Sequence, residues 1–177
     1  MLLKIYDAKK IVLKELNVSM VSAKYLQWMN SKNLMRYTEQ RFEKHSITKI
    51  IDFVKSKKQS KNDYLYGIFI IINKQKIHVG NIKLGPINFT HKYADISYFI
   101  GDIKFQKMGI GSMAIKMVLE IAKNKFKLKK IFASIYSNNI GSKKVLINNK
   151  FVLEGVFKKK FIYKNKRISE LAYSKNI

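Results

Sequence analysis

The 177-residue sequence contains no cysteine and only one proline. Without cysteine the chain cannot form disulfides, thiolate metal sites or an acyl-cysteine intermediate, and this composition fits a reducing cytoplasm. The three histidines, His45, His78 and His91, show no metal-ligand spacing. We therefore expect no metal site and no covalent thioester on the protein.

Long hydrophobic runs are also missing. The longest apolar run covers residues 65–72, far short of the roughly 20 residues that a membrane-spanning helix needs. The N-terminus does not resemble a secretory signal, because lysines interrupt its apolar runs. We expect a cytoplasmic protein without a membrane span. With 47% apolar residues, and no repeat or linker, the chain is predicted to form one domain over residues 1–177.

Acidic residues are few, and basic residues are many. The chain has 11 acidic and 36 basic residues, for a formal net charge of +25. A nucleic-acid partner would use clustered basic residues, with arginine to read bases and hold phosphates. Only Arg36, Arg41 and Arg167 are arginine, and the lysines are spread along the chain. The pattern therefore favours a solvated lysine surface over a nucleic-acid interface, and an anionic partner such as a nucleotide stays open.

Hydrophobic periodicity predicts four helices and seven strands. The predicted helices cover residues 19–29, a short segment after Ser46, residues 111–125 and residues 139–149. Polar residues 55–63 are predicted as a loop, and a break is expected at residues 86–92. The predicted strands cover residues 11–16, 64–72, 76–85, 93–101 and 130–136, and a terminal hairpin of residues 151–163 and 167–174.

Two glycines, Gly109 and Gly111, stand at the start of the third predicted helix, in FQKMGIGSMAIKMVLEIA. They leave main-chain N–H groups accessible at a helix N-terminus, which attracts anions. The stretch is not a dinucleotide fingerprint, because Ala114 stands at the third glycine position and no suitable acidic residue follows. The preceding strand, this turn, the helix and the next strand form a predicted β-α-β unit with a ligand crevice. A phosphate site is therefore predicted, with an ordinary helix start as the alternative.

The segment from Gln106 to Gly111 resembles the acetyl-coenzyme A loop Q/R-x-x-G-x-G/A of the GNAT N-acetyltransferase superfamily. The resemblance extends to ADISYFIG before the loop and to NNIGSKKVLINNKFVLEG after it, and thus over most of the chain. In the second segment five residues fit the family pattern: Asn139, Ser142, Phe151, Glu154 and Gly155. The N-terminal IVLKEL and YLQWMN resemble the branch that contains ribosomal-protein N-terminal and sugar-nucleotide amine acetyltransferases.

Two positions depart from the family pattern. Lys150 stands where the family usually has a glycine before its phenylalanine. Leu146 stands where many members have a tyrosine that protonates the departing thiolate. A thiol with a pKa near 8.5 leaves tolerably well without such an acid.

The resemblance implies an α/β, or α+β-like, GNAT fold. Its central sheet is mixed and mostly antiparallel, with splayed parallel strands four and five, and about four helices flank it. The resemblance also implies acetyl-coenzyme A as cofactor. Backbone groups of Phe99 and Ile100 would pair with the pantetheine arm as an added strand does, and backbone N–H groups from Met108 to Ser112 would hold the pyrophosphate. The full set of expected cofactor-binding residues is Phe99, Ile100, Gln106, Lys107, Met108, Gly109, Ile110, Gly111, Ser112 and Asn139.

Asp95 and Ser142 are the predicted catalytic residues. Asp95 begins the fourth-strand segment and can accept the proton of the amine directly or through water; its alternative is a solvated carboxylate at a strand end. The Ser142 hydroxyl can meet the thiol, or can merely bond the preceding turn. Asn139 can likewise bond the pantetheine arm or cap the following helix.

The region between the first two helices, RYTEQRFEKHS, is expected to cover the acceptor. There Glu39 could orient an amine, Arg41 could bind a phosphate and His45 could transfer a proton, with a plain polar loop as the alternative. The implied reaction is direct acetyl transfer to a primary amine of a small molecule, with an amino-sugar nucleotide as the leading acceptor. The alternatives are a protein N-terminus and a non-catalytic basic module that binds RNA or the ribosome. The chain is expected to be a monomer or a homodimer.

Overall fold

A computed structural model describes residues 11–177 and arranges their seven strands in one sheet of order β1-β2-β3-β4-β5-β7-β6. All neighbouring strands are antiparallel except β4 and β5, which are parallel. The strands are β1 (Ile11–Glu15), β2 (Tyr64–Ile72), β3 (Gln75–Asn88), β4 (Tyr93–Ile100), β5 (Lys130–Tyr136), β6 (Val152–Tyr163) and β7 (Lys166–Asn176). This is the mixed, mostly antiparallel sheet that the family resemblance implied.

Helices cover the two faces of the sheet and bury two apolar clusters. The larger cluster lies under α3, whose Ala114, Val118 and Ala122 are fully buried against the strands. The smaller cluster joins α1 and α2 to the opposite face through Tyr25, Trp28 and other apolar residues. The helices are α1 (Ala23–Met29), α2 (Ile47–Gln59), α3 (Ile110–Asn124) and α4 (Ile140–Asn148).

Two predicted helix boundaries were wrong. The first helix does not begin at Ser19, because Asn17 caps a separate 3₁₀ turn and Ser22 caps α1, accepting a 3.2 Å hydrogen bond from the Tyr25 N–H. Residues 55–59 belong to α2 rather than to a loop. Lysine and glutamine are good helix formers, so a polar stretch can continue an amphipathic helix along its solvated face.

The break predicted at Pro86 is also misplaced, since β3 continues to Asn88. Pro86 lies where the pairing of β3 with β4 shifts register between Leu84 and Ile87. A proline has no N–H to donate, and a bulge is one of the few places in a sheet that tolerates it. The chain therefore leaves the sheet two residues later than the proline suggested.

Strands β4 and β5 separate soon after they meet. They pair only from Tyr93 to Asp95 on β4, opposite Lys130 to Phe132 on β5. The other edge of β4 stays paired with β3 as far as Ile100, and β5 stays paired with β7 as far as Tyr136. The two strands therefore open like a V, and within residues 11–177 the β5-facing edge of β4 has no ladder partner beyond Asp95. This is the splay that the family resemblance implied.

Candidate acetyl-coenzyme A and acceptor site

The glycine turn lies at the start of α3, beside the open part of the V. Gly109 caps α3 in the left-handed region, with φ of +78°. A Cβ placed on Gly109 would meet no atom within 4 Å, so the turn faces open space. The N–H groups in the first turn of a helix have no acceptor within the helix and carry its positive dipole end. The turn from Met108 to Ser112 therefore has the geometry of an anion site.

Close packing holds the turn against β4. The Gln106 side chain donates a 2.9 Å hydrogen bond to the Ile100 main-chain oxygen, which ties the turn to the end of β4. A Cβ on Gly111 would lie 3.0 Å from Cε2 of Tyr98, so the second glycine lets α3 approach the strand. Lys107 precedes the turn with φ of +60°. The predicted loop residues thus lie together, and Gln106 positions the loop with its side chain.

Asn139 and Ser142 lie at the start of α4. Asn139 is the N-cap of α4, and its Oδ1 accepts a 3.2 Å hydrogen bond from the Ser142 N–H. The capping role that the sequence left open is therefore present. The Ser142 side chain lies beside the phenol of Tyr98.

Tyr98 lies in the same region, although it was not among the predicted site residues. Its hydroxyl is buried without a hydrogen-bond partner. Burial raises the pKa of the Tyr98 phenol, and Ser142 opposes part of this increase, although the two hydroxyls do not meet at hydrogen-bond geometry. Leu146, at the position of the family tyrosine, is fully buried in the larger apolar cluster. Tyr98 and Ser142 are thus two hydroxyls in the region where Leu146 supplies none.

Asn149 is a second residue that sequence reasoning missed. It is 2% exposed, and its Nδ2 donates 2.8 Å hydrogen bonds to the Ser112 hydroxyl and to the Val145 main-chain oxygen. These contacts join the end of α4 to the first turn of α3. Lys150 follows with φ of +63°, which explains why the family pattern has glycine there. The partner of Asn149 lies 37 residues away, so no local pattern reveals the contact.

Asp95 lies at the last position where β4 pairs with β5. Desolvation raises the pKa of its carboxyl group, an effect that the charge of Lys83 partly offsets, although the residue as a whole is exposed. Asp95 shares a face of β4 with Ser97 and Phe99, because side chains alternate along a strand. Both of those residues line the acceptor-side cavity described next.

The acceptor-side cavity of about 660 Å³ lies between the sheet and the α1–α2 region. It brings together two predicted acceptor residues, Glu39 and His45. The His45 ring Nε2 lies 3.2 Å from the Gln40 main-chain oxygen, and the His45 N–H donates to Asn30 Oδ1. The wall of the cavity also includes Tyr25, Glu43, Lys49, Asp52, Asn81, Lys83, Tyr98 and Phe99.

Arg41 does not line this cavity, although it was predicted beside Glu39 and His45. Its guanidinium donates to the Tyr136 hydroxyl at 2.6 Å, to the Ile162 main-chain oxygen at 2.9 Å and to the Thr38 main-chain oxygen at 3.0 Å. The Tyr136 hydroxyl in turn donates to the Glu39 carboxylate. Burial, together with the bond to Glu39, raises the pKa of Tyr136, and Arg41 opposes this shift. Arg41 thus anchors the segment that carries Glu39.

The family model of the acetyltransferase (GNAT) domain matches residues 11–152. The chain belongs to the GNAT acetyltransferase family. This confirms the resemblance seen in the sequence and the assignment as an acetyltransferase. No curated protein matches the chain in sequence.

Solved structures match the GNAT chain over nearly its whole length. Spermidine N-acetyltransferase from Vibrio cholerae, in complex with coenzyme A and spermine, is 18% identical, with 95% of this chain and 96% of that chain covered and a TM-score of 0.83. The ribosomal L7/L12 α-N-protein acetyltransferase RimL, in complex with coenzyme A, is 20% identical, with coverages of 95% and 94% and a TM-score of 0.83. Microcin C7 self-immunity acetyltransferase MccE, in complex with acetyl-coenzyme A and AMP, is 21% identical, with coverages of 95% and 93% and a TM-score of 0.81.

These likenesses confirm the predicted GNAT fold. The structural matches bind coenzyme A or acetyl-coenzyme A, which agrees with the cofactor expected for this family. The open turn at Gly109, the unpaired edge of β4 and the buried Tyr98 hydroxyl without a partner all fit such a cofactor. Within residues 11–177 no helix is long and apolar enough to cross a membrane, and no group of three His, Asp or Glu residues is arranged to hold a metal ion.

Proposed function

We propose that residues 1–177 act as one domain that transfers the acetyl group of acetyl-coenzyme A directly to the primary amine of a small molecule. The observation that carries the proposal is the unpaired β4 edge next to a glycine turn that faces open space. An extended pantetheine arm can add to a free strand edge, while a pyrophosphate meets the N–H groups of a helix start. Both parts of one cofactor therefore find a place on neighbouring elements.

In this proposal the main chain does most of the cofactor binding. Phe99 and Ile100 would offer edge N–H and C=O groups to the pantetheine arm, and the turn from Met108 to Ser112 would hold the pyrophosphate. Lys107 adds a positive charge beside that turn. Gln106 and Asn139 would hold the two helix starts in place through the bonds they make to Ile100 and Ser142. Bound acetyl-coenzyme A would supply the acetyl group as an activated thioester.

Two side chains are proposed to handle protons. Asp95 would accept the proton of the acceptor amine, and its raised pKa brings the carboxyl group closer to the pKa that a general base needs near neutrality. Ser142, at the start of α4, would meet the thiol. An acceptor amine with a pKa of about 8 is neutral far more often at pH 7 than an alkylamine with a pKa near 10.4, so it makes less demand on the base.

The proposed acceptor is a small molecule such as an amino-sugar nucleotide. The cavity of about 660 Å³ is in the range of small-molecule sites. Lys49 and Lys83 on its wall would face the phosphates, with Glu39 and His45 at the amine. Arg41 is proposed to act on the acceptor by positioning the Glu39 segment, because its donors already bond Tyr136, Thr38 and Ile162.

A peptide N-terminus is the second candidate acceptor. The similarity to RimL, a ribosomal L7/L12 α-N-protein acetyltransferase, supports this alternative. A peptide α-amine has a pKa of about 8 and therefore places the same modest demand on the base as an amino sugar does.

Calorimetry with coenzyme A, followed by thiol release from acetyl-coenzyme A with a panel of amines, tests the proposal. We expect heat on binding, and thiol release that depends on the added amine. Turnover with an amino-sugar nucleotide but not with peptides would select the first acceptor, and the reverse would select the second. Steep salt-dependent RNA binding with no coenzyme A binding and no turnover would overturn the proposal in favour of a basic binding module.

A further inference from the structure

Asn81 is a buried amide with unpaired donors on the wall of the acceptor-side cavity. It lies on β3, is 2% exposed and lines the cavity together with Tyr25 and Phe99. Among residues 11–177 its Nδ2 has no hydrogen-bond partner. Buried amide groups are almost always paired, so an unpaired donor at a cavity is a candidate for contact with a ligand. Asn81 has no role in the acetyl transfer proposed above.

His78 determines which end of the Asn81 amide remains available. The His78 Nε2 lies 2.8 Å from Asn81 Oδ1 and 3.0 Å from the Gly80 main-chain oxygen. A main-chain oxygen can only accept, so Nε2 carries the hydrogen and donates to both oxygens. A flipped amide would place N–H against N–H. The oxygen of Asn81 is therefore engaged, and its two N–H donors are left for the cavity.

Aromatic rings hold His78 in this position. Its ring centroid lies 4.9 Å from that of Phe69, 5.1 Å from that of Trp28 and 6.0 Å from that of Tyr25. Burial lowers the pKa of His78, so the ring is held as the neutral form with one N–H. A neutral ring enclosed in this way keeps one tautomer and one orientation. The direction of the Asn81 donors is thus fixed by the fold.

Tyr25 extends the same donor surface. Its phenol lies beside Asn81, but the two side chains do not meet at hydrogen-bond geometry. Burial raises the pKa of Tyr25 to about 12, although Asn81 opposes part of this increase, so the hydroxyl keeps its proton at neutral pH. Asn81 Nδ2 is a donor only, and the protonated Tyr25 hydroxyl can donate as well. An ammonium group cannot accept from either of them, whereas a hydroxyl or carbonyl oxygen can accept from both.

The donor pair lies across β4 from the proposed pantetheine arm. Asn81 is directly opposite Phe99 in the β3–β4 ladder, and opposite residues share a face of the sheet. Neighbouring strands are about 4.8 Å apart. If the pantetheine arm pairs with the free edge of β4, as in the proposed function on which this inference rests, it lies two strand spacings, about 10 Å, from β3. A hydrogen bond to Asn81 and the approach of the amine to the thioester span most of that distance, which leaves about two or three bonds between the oxygen and the reacting nitrogen.

We propose that Asn81 is a specificity-determining residue that accepts only amines with a hydroxyl or carbonyl oxygen on the carbon next to the amine-bearing carbon. This vicinal oxygen occurs in amino sugars and, as the carbonyl, at peptide N-termini. Alkyl polyamines lack it, and at neutral pH they bring only N–H donors to the Asn81 amide, which leaves the buried Asn81 donors unpaired. Such a site rejects an analogue that leaves its buried donors unpaired.

Matched amine pairs test this inference on the wild-type protein. Thiol release from acetyl-coenzyme A is measured with glucosamine against cyclohexylamine, with alaninamide against isopropylamine, and with spermidine. The oxygen-bearing amines have the lower pKa, so kcat/KM is calculated on the concentration of the neutral amine. On that scale we expect the oxygen-bearing member of at least one pair to be favoured by about tenfold or more. The sugar pair and the amino-acid pair then distinguish the two sources of the oxygen. A preference for spermidine, or equal rates within both pairs, would overturn the inference.

Two substitutions of Asn81 provide a second test. Asn81→Ala should remove the preference within the favoured pair. Asn81→Asp replaces the donors with a carboxylate oxygen, so it should raise the rate with spermidine relative to the oxygen-bearing amine. Asn88→Asp is the matched control, because it makes the same change on the same strand, and Asn88 does not line the cavity. It should keep the wild-type ratios.

Calorimetry with coenzyme A distinguishes a failure of the role of Asn81 from a failure of the proposed acetyl transfer. If coenzyme A binds and thiol is released, but Asn81→Ala keeps the wild-type ratios, only the role of Asn81 fails. If coenzyme A does not bind the wild-type protein, the acetyl-transfer proposal and the inference built on it both fail. Circular dichroism checks that each variant is folded, and if neither Asn81 variant folds, the wild-type amine pairs decide.

Discussion

The guanidinium of Arg41 donates a 2.6 Å hydrogen bond to the hydroxyl of Tyr136, which lies 95 residues further along the chain. A second guanidinium nitrogen donates to the main-chain oxygen of Ile162 on β6. The Tyr136 ring stacks on Phe161 with a centroid distance of 4.1 Å. One side chain thus joins the segment before α2 to both β5 and β6, and the position of Glu39 over the cavity depends on this junction.

Replacement of Arg41 tests the junction. Arg41→Ala leaves the Tyr136 hydroxyl and the main-chain oxygens without their donor, and it should lower the free energy of unfolding by about 1–3 kcal/mol. Because the Glu39 segment loses its anchor, we also expect a raised KM for the acceptor and an unchanged affinity for coenzyme A. Thermal melts, steady-state kinetics and calorimetry measure the three quantities.

Arg36→Ala is the matched control, because the side chain of Arg36 contacts Asn33 and Tyr37, which are close to it in sequence. It should change both stability and acceptor KM less than Arg41→Ala does. An acceptor KM that stays at the wild-type value in Arg41→Ala would remove Arg41 from the acceptor site altogether.

The glycine turn provides a test of cofactor binding. Gly109→Val places a branched side chain in a left-handed backbone conformation, which costs about 1–2 kcal/mol, and in the open space above the start of α3. We expect coenzyme A affinity to fall by about tenfold or more, a loss of about 1.4 kcal/mol of binding free energy. Calorimetry well below the melting temperature measures this loss on folded protein.

Gly155→Val serves as the control, because a Cβ at Gly155 also meets no atom within 4 Å and the residue lies on edge strand β6. It should bind coenzyme A as the wild type does. Wild-type affinity in Gly109→Val would mean that the pyrophosphate is not held at this turn.

Local patterns predicted the parts of the site that are local in sequence. The turn around Gly109, the apolar face of α3 and the cap at Asn139 follow from residue spacing and from the preferences of single residues. The splay after Asp95 followed from the family resemblance rather than from any pattern of the chain itself. Those predictions needed no knowledge of distant contacts.

The residues that were missed form contacts over long sequence separations. Ser112 with Asn149, Arg41 with Tyr136, and Asn81 opposite Phe99 meet only after the sheet has formed. An asparagine or a tyrosine in an apolar stretch has the same local signature whether it is buried for packing or left unpaired at a cavity. The three-dimensional structure is therefore needed to find Tyr98 and Asn81.

Replacement of Lys150 with glycine is predicted to stabilise the protein. It has φ of +63° directly after α4, and a left-handed conformation costs a non-glycine residue about 1–2 kcal/mol. Lys150→Gly removes this cost and adds about 0.5–1 kcal/mol of unfolded-state entropy, so we expect a net gain of up to about 1 kcal/mol in urea unfolding. Lys144→Gly, the same change inside α4, should instead destabilise by about 1 kcal/mol. Equal losses in both variants would contradict the strain at Lys150.

Removal of the Tyr98 hydroxyl is expected to raise stability and to lower activity. Its buried hydroxyl has no partner in the part of the chain that the structure describes, so Tyr98→Phe should raise the free energy of unfolding of the ligand-free protein by about 1 kcal/mol. If the hydroxyl bonds the bound cofactor, the same variant should lower kcat/KM for acetyl-coenzyme A by about three- to tenfold. Tyr173→Phe, a buried tyrosine on β7, is the control and should leave kcat/KM unchanged. A more stable Tyr98→Phe protein with wild-type kinetics would show that the hydroxyl does not meet the cofactor.

Asp95 and Asp63 should shift stability with pH in opposite directions. Desolvation raises the pKa of Asp95 above its ordinary value of 3.8. At low pH both folded and unfolded states keep the proton, and Asp95 has no effect. As pH rises past 3.8 the unfolded chain loses its proton first, so ionisation of Asp95 reduces the stability of the fold until the higher folded pKa is passed. Asp95→Asn should therefore raise the melting temperature at pH 7 and leave it unchanged near pH 3.

Asp63 provides the opposite case. Burial alone would raise its pKa, but the ion pairs with Lys57 at 2.8 Å and Lys83 at 3.2 Å outweigh burial, and the pKa is lowered. Its stabilising effect is complete above pH 3.8 and is lost as pH falls through the lowered folded pKa, so Asp63→Asn should reduce the melting temperature at pH 7 and lose this effect in acid. Melting curves between pH 3 and pH 7 measure both variants. If Asp95 is the general base, Asp95→Asn must also lose turnover while it gains stability; a stable variant with wild-type turnover would transfer the proton step to another group.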